Sequence, residues 1–132
     1  MPSPTGAELA LRRDSHMQFI AHEGKKILLL DLSNCSAAEV ERTMRALPDV
    51  VTVQPRGSVL ILSDFRGASF SEEAIRFMKE AAVFNKPYVN KSAWVGAENL
   101  PTDTTAQVEQ FSRRSFRAFR DRAQALAWLT KE

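Results

Sequence analysis

Two near-continuous apolar runs stand out in the chain. They occupy positions 27–30 in "KILLLDLS" and 59–62 in "SVLILSDF". An apolar run without polar alternation fits a strand covered on both faces, as in the middle of a parallel sheet. Ahead of the first run, residues 16–21 of "HMQFIAHEGKK" mix polar and apolar positions, and a glycine follows. That is the pattern of an edge strand entering a tight hairpin. A third sheet-forming stretch is expected over "YVNKSAWVG", ending at Gly96, and a short last one in "SFRAF".

Between these runs the period changes. In "NCSAAEVERTMRALPDV", Ala37, Val40, Met44 and Leu47 recur at helical spacing. Ser36 and Glu39 have the spacing of a capping box, and Pro48 is read as the end of the helix. The segment "VTVQPRG" is a connector with room for a short extended piece. "FSEEAIRFMKEAAVFNKP" is the clearest helix. Ala74, Phe77, Met78, Ala81 and Phe84 make its apolar stripe, with Ile75 and Ala82 beside it. Asn85 stands at the C-terminal cap and Pro87 blocks continuation. "NLPTDTTAQVEQFS" predicts a weaker helix capped near Thr102 or Asp103. "DRAQALAWLTKE" predicts a closing helix with Ala123, Leu126, Ala127 and Trp128 or Leu129 inward.

The resulting order is ββαβαβαβα. Alternation of strands and helices implies right-handed crossovers and a mostly parallel sheet, and the first hairpin adds an antiparallel strand. The expected fold is a single α/β domain over 15–132, with a mixed sheet of about five strands and covering helices. Residues 1–14 form a loose lead-in with at most one short helical turn.

Totals restrict the function classes. At 132 residues one domain is expected, and such a chain buries roughly 70% of its unfolded surface without help from disulfides or metals. The apolar share of 44% and charged share of 26% are ordinary for a globular protein. A net charge of +2 gives little long-range field for nucleic acid. Cys35 is the single cysteine, so no internal disulfide can form, which suits a reducing compartment. The apolar runs fall far short of a membrane span, and residues 1–16 lack the apolar core of a secretory leader. A cytoplasmic location, with no membrane insertion, is the expectation.

Chemistry would gather beyond the carboxyl ends of the parallel strands, where open α/β sheets collect ligands. Three tips meet that description: "DLSN" at 31–34, "DFRGAS" at 64–69 and "WVGAEN" at 94–99. Asp64 leaves its strand where the chain becomes solvated. Gly67 permits a sharp turn. Ser69 or Ser71 can cap the following helix, Ser69 having capping-box spacing to Glu72, and Glu72 and Glu73 complement the positive helix end. Strand, turn, cap and helix account for all of these residues. A modifiable serine or an anion pocket is the functional alternative, and the two glutamates already occupy the places an anion would favour.

From Met17 to Leu129 the chain resembles the small STAS-like, SpoIIAA-like bacterial domain family, mostly of unknown function. The resemblance is carried by "GKKILLLDLSN", "QPRGSVLILSDFRGASF", "FNKPYVNKSAWVG", and "FSRRSFRAF" followed by "ALAWL". It implies the same fold. In phospho-switch members of the wider family, a kinase with anti-sigma activity modifies a serine in an Asp-Ser-Ser-Gly turn at the helix start. On that pattern Glu72 and Glu73 stand where the Asp and the target Ser would be, and Ala74 and Ile75 replace the continuation. The position resembles a permanently negative, phosphoserine-like site. Ser69 and Ser71 remain the residues open to modification.

Other candidates read more simply as structure. Arg113, Arg114, Arg117, Arg120 and Arg122 interleave with Phe111, Phe116 and Phe119, a mixture that can bind single strands by phosphate contact and stacking. A solvated rim with arginines paired to acids such as Asp121 is the reading preferred here. In a strand, Phe116 and Ala118 would face one side, Arg117 and Phe119 the other. Cys35 sits at a helix start, where a thiol pKa can fall, yet a nucleophile needs a base, and His16 and His22 belong to the first hairpin. The histidines show no metal spacing with each other or with Cys35. Tyr88 and Trp94 could line an apolar pocket. No phosphate-cradling glycine motif or Ser-His-Asp arrangement occurs.

The sequence therefore leads to a non-enzymatic regulatory or protein-interaction module without cofactor or metal. Its contact surface is expected around Asp64, Gly67, Ser69, Ser71, Glu72, Glu73, Gly96 and Asn99. The alternative is binding of a small apolar or lipid-like ligand between helices and sheet. A protein partner and a homodimer are expected, the edge strand at 16–21 and the arginine–phenylalanine surface near 113–120 both inviting pairing; nucleic acid is not expected.

Overall fold

The computed structural model describes residues 3 and 5–131; residues 1, 2 and 4 of the lead-in and residue 132 lie outside them. Five strands, β1 (Met17–His22), β2 (Lys25–Asp31), β3 (Val59–Asp64), β4 (Val89–Val95) and β5 (Arg117–Phe119), form one sheet in the spatial order β1-β2-β3-β4-β5. β1 and β2 are antiparallel, and β2 through β5 run parallel. The mixed α/β sheet expected from the sequence is the observed one. Glu23 and Gly24 close the first hairpin between the paired His22 and Lys25, both at positive φ, as a two-residue primed turn requires.

The helices are α1 (Gly6–Arg13), α2 (Ala37–Val51), α3 (Glu72–Asn85), α4 (Thr104–Ser112) and α5 (Arg122–Thr130). Alternation along the central strands feeds two separate cores. Leu28, Leu30, Val59, Ile61 and Trp94 face α2, α3 and α4. Ile27, Leu29, Leu60, Leu62, Ala93 and Val95 face the other way, onto Ala125 and Leu129 of α5. Phe116 joins the first core and Phe119 the second, the alternation expected of the last strand.

Several local expectations need correction. The lead-in is not loose: Thr5 accepts the Glu8 amide as N-cap of α1, and buried Ala7 and Ala10 hold that helix to the domain. Pro48 does not end α2 but lies inside it. The missing N–H costs one bond, while Val50 and Val51, with no exposed surface, keep the last turn buried. The connector after α2 holds turns and no extended piece. In α3, Phe84 points outward, 59% exposed, although Ala74, Met78, Ala81 and Ala82 are buried as read. In α5, Leu126, Trp128 and Leu129 pack inward as read, but Ala123 and Ala127 are exposed and Ala125 is buried instead. The capping box of Ser36 and Glu39 is present with both its bonds.

Candidate functional site

Parallel pairing puts the tips of β2, β3 and β4 at one end of the sheet. Asp31 lies opposite Asp64, and Asp64 opposite Val95, which pairs with Phe119. Neighbours in register share a face, so Asp31 and Asp64 point to the side where α5 begins. Asp121 caps α5 by accepting the Gln124 amide, which carries Arg122 over both carboxylates.

Arg122 Nε donates to Asp64 Oδ2 at 2.8 Å, and its Nη2 lies 2.9 Å from Asp31 Oδ1. Arg66 binds Asp64 from the other side, Nη2 to Oδ2 at 2.6 Å, with its amide and Nε on Oδ1 at 3.1 and 3.0 Å. Ser33 Oγ donates to Asp31 Oδ1 at 2.6 Å. The expectation that Asp64 stands in solvent is therefore corrected: its side chain has no exposed surface. Burial by itself would raise both carboxyls. Arg66 and Arg122 outweigh it at Asp64, as Ser33 and Arg122 do at Asp31, and both groups sit below the ordinary carboxylate range. Both oxygens of Asp64 are engaged, so the cluster is a clasp of two carboxylates held by two arginines.

The turn after β3 is held on every side. Leu32 and Asn34 amides bond the carbonyls of Asp64 and Arg66, and the Ser69 amide bonds the Cys35 carbonyl at 2.9 Å. Asn99 Nδ2 donates to the carbonyls of Phe65 and Ala68 at 3.0 and 2.5 Å. Gly96, buried at φ 77°, lets the β4 tip close on this turn; a Cβ there would stand 2.7 Å from the Arg66 amide nitrogen. Gly67, at φ 70°, sits against the Asn34 side chain. Buried Phe65 meets Phe70 and Trp94 edge-on, and Trp94 stacks on Phe116 at 4.3 Å.

The expected site residues thus divide into two groups. Asp64, Gly67, Gly96 and Asn99 brace the turn. Ser69, Glu72 and Glu73 are exposed on its outer side, with Glu73 paired to Arg76 at 2.7 Å. Ser71, not Ser69, caps α3: its Oγ accepts the Ala74 amide at 3.0 Å.

On the other side of the same edge, the reach of a histidine to Cys35 is answered. His16 Nδ1 and Nε2 lie 3.6 and 3.8 Å from Cys35 Sγ, and Nε2 lies 3.2 Å from Glu39 Oε2. Near-equal distances to both nitrogens mean that the thiol is not aligned on either one. Burial, then Glu39, Asp31 and Asp14, push the thiol up to about 11, opposite to a nucleophile's need. Hydrogen bonds from Ser36 hold Glu39 below the ordinary range.

Beneath α3 a cavity of about 40 Å³ is lined by Met78, Asn85, Ser92, Trp94, Arg114 and Phe116, among others. Arg114 donates to the Ala82 carbonyl and to Ser92 Oγ, and burial lowers its guanidinium to about 10. Asn85 Oδ1 is buried and has no hydrogen-bond partner among the described residues. The space suits a few waters rather than a lipid tail. Of the Arg/Phe segment, Phe116 stacks on Trp94, Phe119 packs on Trp128, and Arg122 is in the clasp, so these aromatics are engaged within the fold.

Sequence reasoning did not single out Arg66, named Arg122 within the Arg/Phe segment without its partners Asp31 and Asp64, and did not place His16 against Cys35. Arg122 lies beside a recognisable cap, Asp121, but nothing in the local pattern names its partners. Comparison of the chain with protein-family models, curated proteins and solved structures gives no match.

Proposed function

We propose that the protein is a STAS-like interaction or regulatory module whose contact surface is the 64–73 turn and the start of α3. One observation carries this reading: an exposed acidic and hydroxyl-bearing surface, Ser69, Glu72 and Glu73, sits on a turn braced by Asn99, Gly96 and the Cys35 carbonyl. A pre-ordered loop loses little entropy on binding, which favours recognition. The rest of the edge supports the same conclusion, because Asp31 and Asp64 are neutralised by arginines and offer no free carboxylate pair for acid–base work. The alternative, an apolar or lipid-like ligand beneath α3, is less well supported, since the 40 Å³ cavity is far below the few hundred Å³ of small-molecule sites. Among the described residues no helix is long and apolar enough to cross a membrane.

The test is site-specific photocrosslinking in the native cell. A photoreactive residue at position 69 should capture a discrete partner, and one at exposed Gly57, on another loop, should not. Reversing Glu72 and Glu73 to lysine should remove the adduct. Adducts that survive the reversal would refute the assignment. Homodimerisation through the edge strand β1 belongs to the same proposal, and light scattering of the purified chain decides it.

A further inference from the structure

We propose that His16, Cys35 and Glu39 form a binding site for a divalent cation of the zinc class, held by an imidazole nitrogen, a thiolate sulfur and a carboxylate oxygen, with water completing the shell.

The geometry comes first. The three ligand atoms all lie within 4.8 Å of one another. His16 Nε2 is 3.2 Å from Glu39 Oε2 and 3.8 Å from Cys35 Sγ. Zinc bonds of about 2.0–2.2 Å to nitrogen and oxygen and about 2.3 Å to sulfur place tetrahedral neighbours roughly 3.3–3.8 Å apart. Two measured edges therefore fit such a shell to within a few tenths of an ångström. The third, between Cys35 and Glu39, is no longer than 4.8 Å.

The backbone around each ligand is fixed independently. The His16 amide bonds Asp14 Oδ1 at 2.9 Å, and the His16 carbonyl accepts the Asp31 amide at 2.8 Å. Cys35 donates its amide to the Leu32 carbonyl and accepts the Ser69 amide. Glu39 Oε1 accepts the Ser36 amide in the capping box, which leaves Oε2 toward His16. Ligands held by their surroundings bind with less loss of freedom. Asp14, oriented by the Thr43 hydroxyl at 2.6 Å, and Asp31 add negative potential at the thiol, which favours a cation.

Chemistry and access agree. A mixed nitrogen, sulfur and oxygen set suits zinc and disfavours magnesium or calcium, which want oxygen alone. Cys35 is buried, but the His16 and Glu39 side chains are 25% and 39% exposed, giving an ion a route in. On binding, the sulfur–metal bond forms as the thiol proton leaves to solvent.

The test uses the full chain, reduced and chelator-treated. Titration with zinc should show one equivalent bound with submicromolar affinity, and cobalt should give the thiolate charge-transfer absorption of a sulfur-bound ion. Cys35→Ser should abolish that absorption, and His16→Gln and Glu39→Gln should each weaken zinc at least tenfold. His22→Asn should change nothing. Glu39→Gln keeps the capping-box residue type, so it reports on the ligand even if Cys35→Ser fails to fold. Absence of binding at micromolar zinc, or affinity unchanged in folded Glu39→Gln and His16→Gln, would overturn the proposal.

Discussion

Arg122 and Asp64, 58 positions apart, are joined by a 2.8 Å bond from Nε to Oδ2. Through Asp31, the same guanidinium links α5 to the tips of two neighbouring strands. Asp64→Asn should cost about 2–4 kcal/mol, below the full range for a buried pair because both arginines reach solvent. Asp31→Asn, at a more exposed carboxylate, should cost about 1 kcal/mol or less. Denaturant unfolding of the three chains checks the order, and equal losses would show that the clasp is not centred on Asp64.

The same carboxyl gives the protein an acid limb. Burial would raise Asp64, but the hydrogen bonds from Arg66 and Arg122 hold it below 3.8. The folded state therefore binds this proton more weakly than the unfolded chain. The stabilisation is complete above the unfolded value and is lost as pH falls through the folded one. Stability of the natural chain should decline below about pH 4, and Asp64→Asn should flatten that decline. Parallel slopes for the two proteins would assign the acid sensitivity elsewhere.

Ser71 and Ser69 should behave differently. Ser71→Ala removes the cap of α3 and should cost about 1 kcal/mol. Ser69→Ala, at an exposed side chain, should stay within about 0.5 kcal/mol. Any phosphate found by mass spectrometry on protein from its native cell should be on Ser69, whose hydroxyl makes no structural bond among the described residues.

Gly96→Ala combines a left-handed backbone with a Cβ pressed on the Arg66 backbone, and should cost about 2–5 kcal/mol. Gly57→Ala has similar φ but open space, so about 1–2 kcal/mol is expected. Thermal unfolding separates the two, and matching values would mean that the turn yields to the extra methyl.

Asn99→Ala deletes two side-chain bonds to the 65–68 turn. Hydrogen exchange at the Ala68 and Ser69 amides should accelerate about tenfold, with little change in the central strands. A uniform acceleration would indicate global destabilisation instead.

What the sequence disclosed depended on how local the cause was. The unbroken apolar runs at 27–30 and 59–62 announced central strands, because burial on both faces leaves no polar alternation. Ser36 with Glu39 announced a helix start because both partners lie within one turn. Asp64 was misread, since its burial depends on an arginine that reaches it only when β5 and α5 are in place. Phe84 and Pro48 were misread for a related reason. The neighbours of a helix decide which flank is covered, and buried valines beyond a proline can keep its last turn wound. His16 and Cys35 meet through the hairpin, and no spacing along the chain encodes that meeting.

Because the strands lie side by side in chain order and α5 follows β5, the sheet can be completed one neighbour at a time while its second face stays bare until α5 docks. A chain stopped before residue 121 would display Ile27, Leu29, Leu62 and Val95 to water and leave Asp31 beside Asp64 with Arg66 as the one remaining arginine of the clasp. α5 is thus a lock that follows the strands in chain order, and without it the apolar second face of the sheet is surface of the kind that drives aggregation.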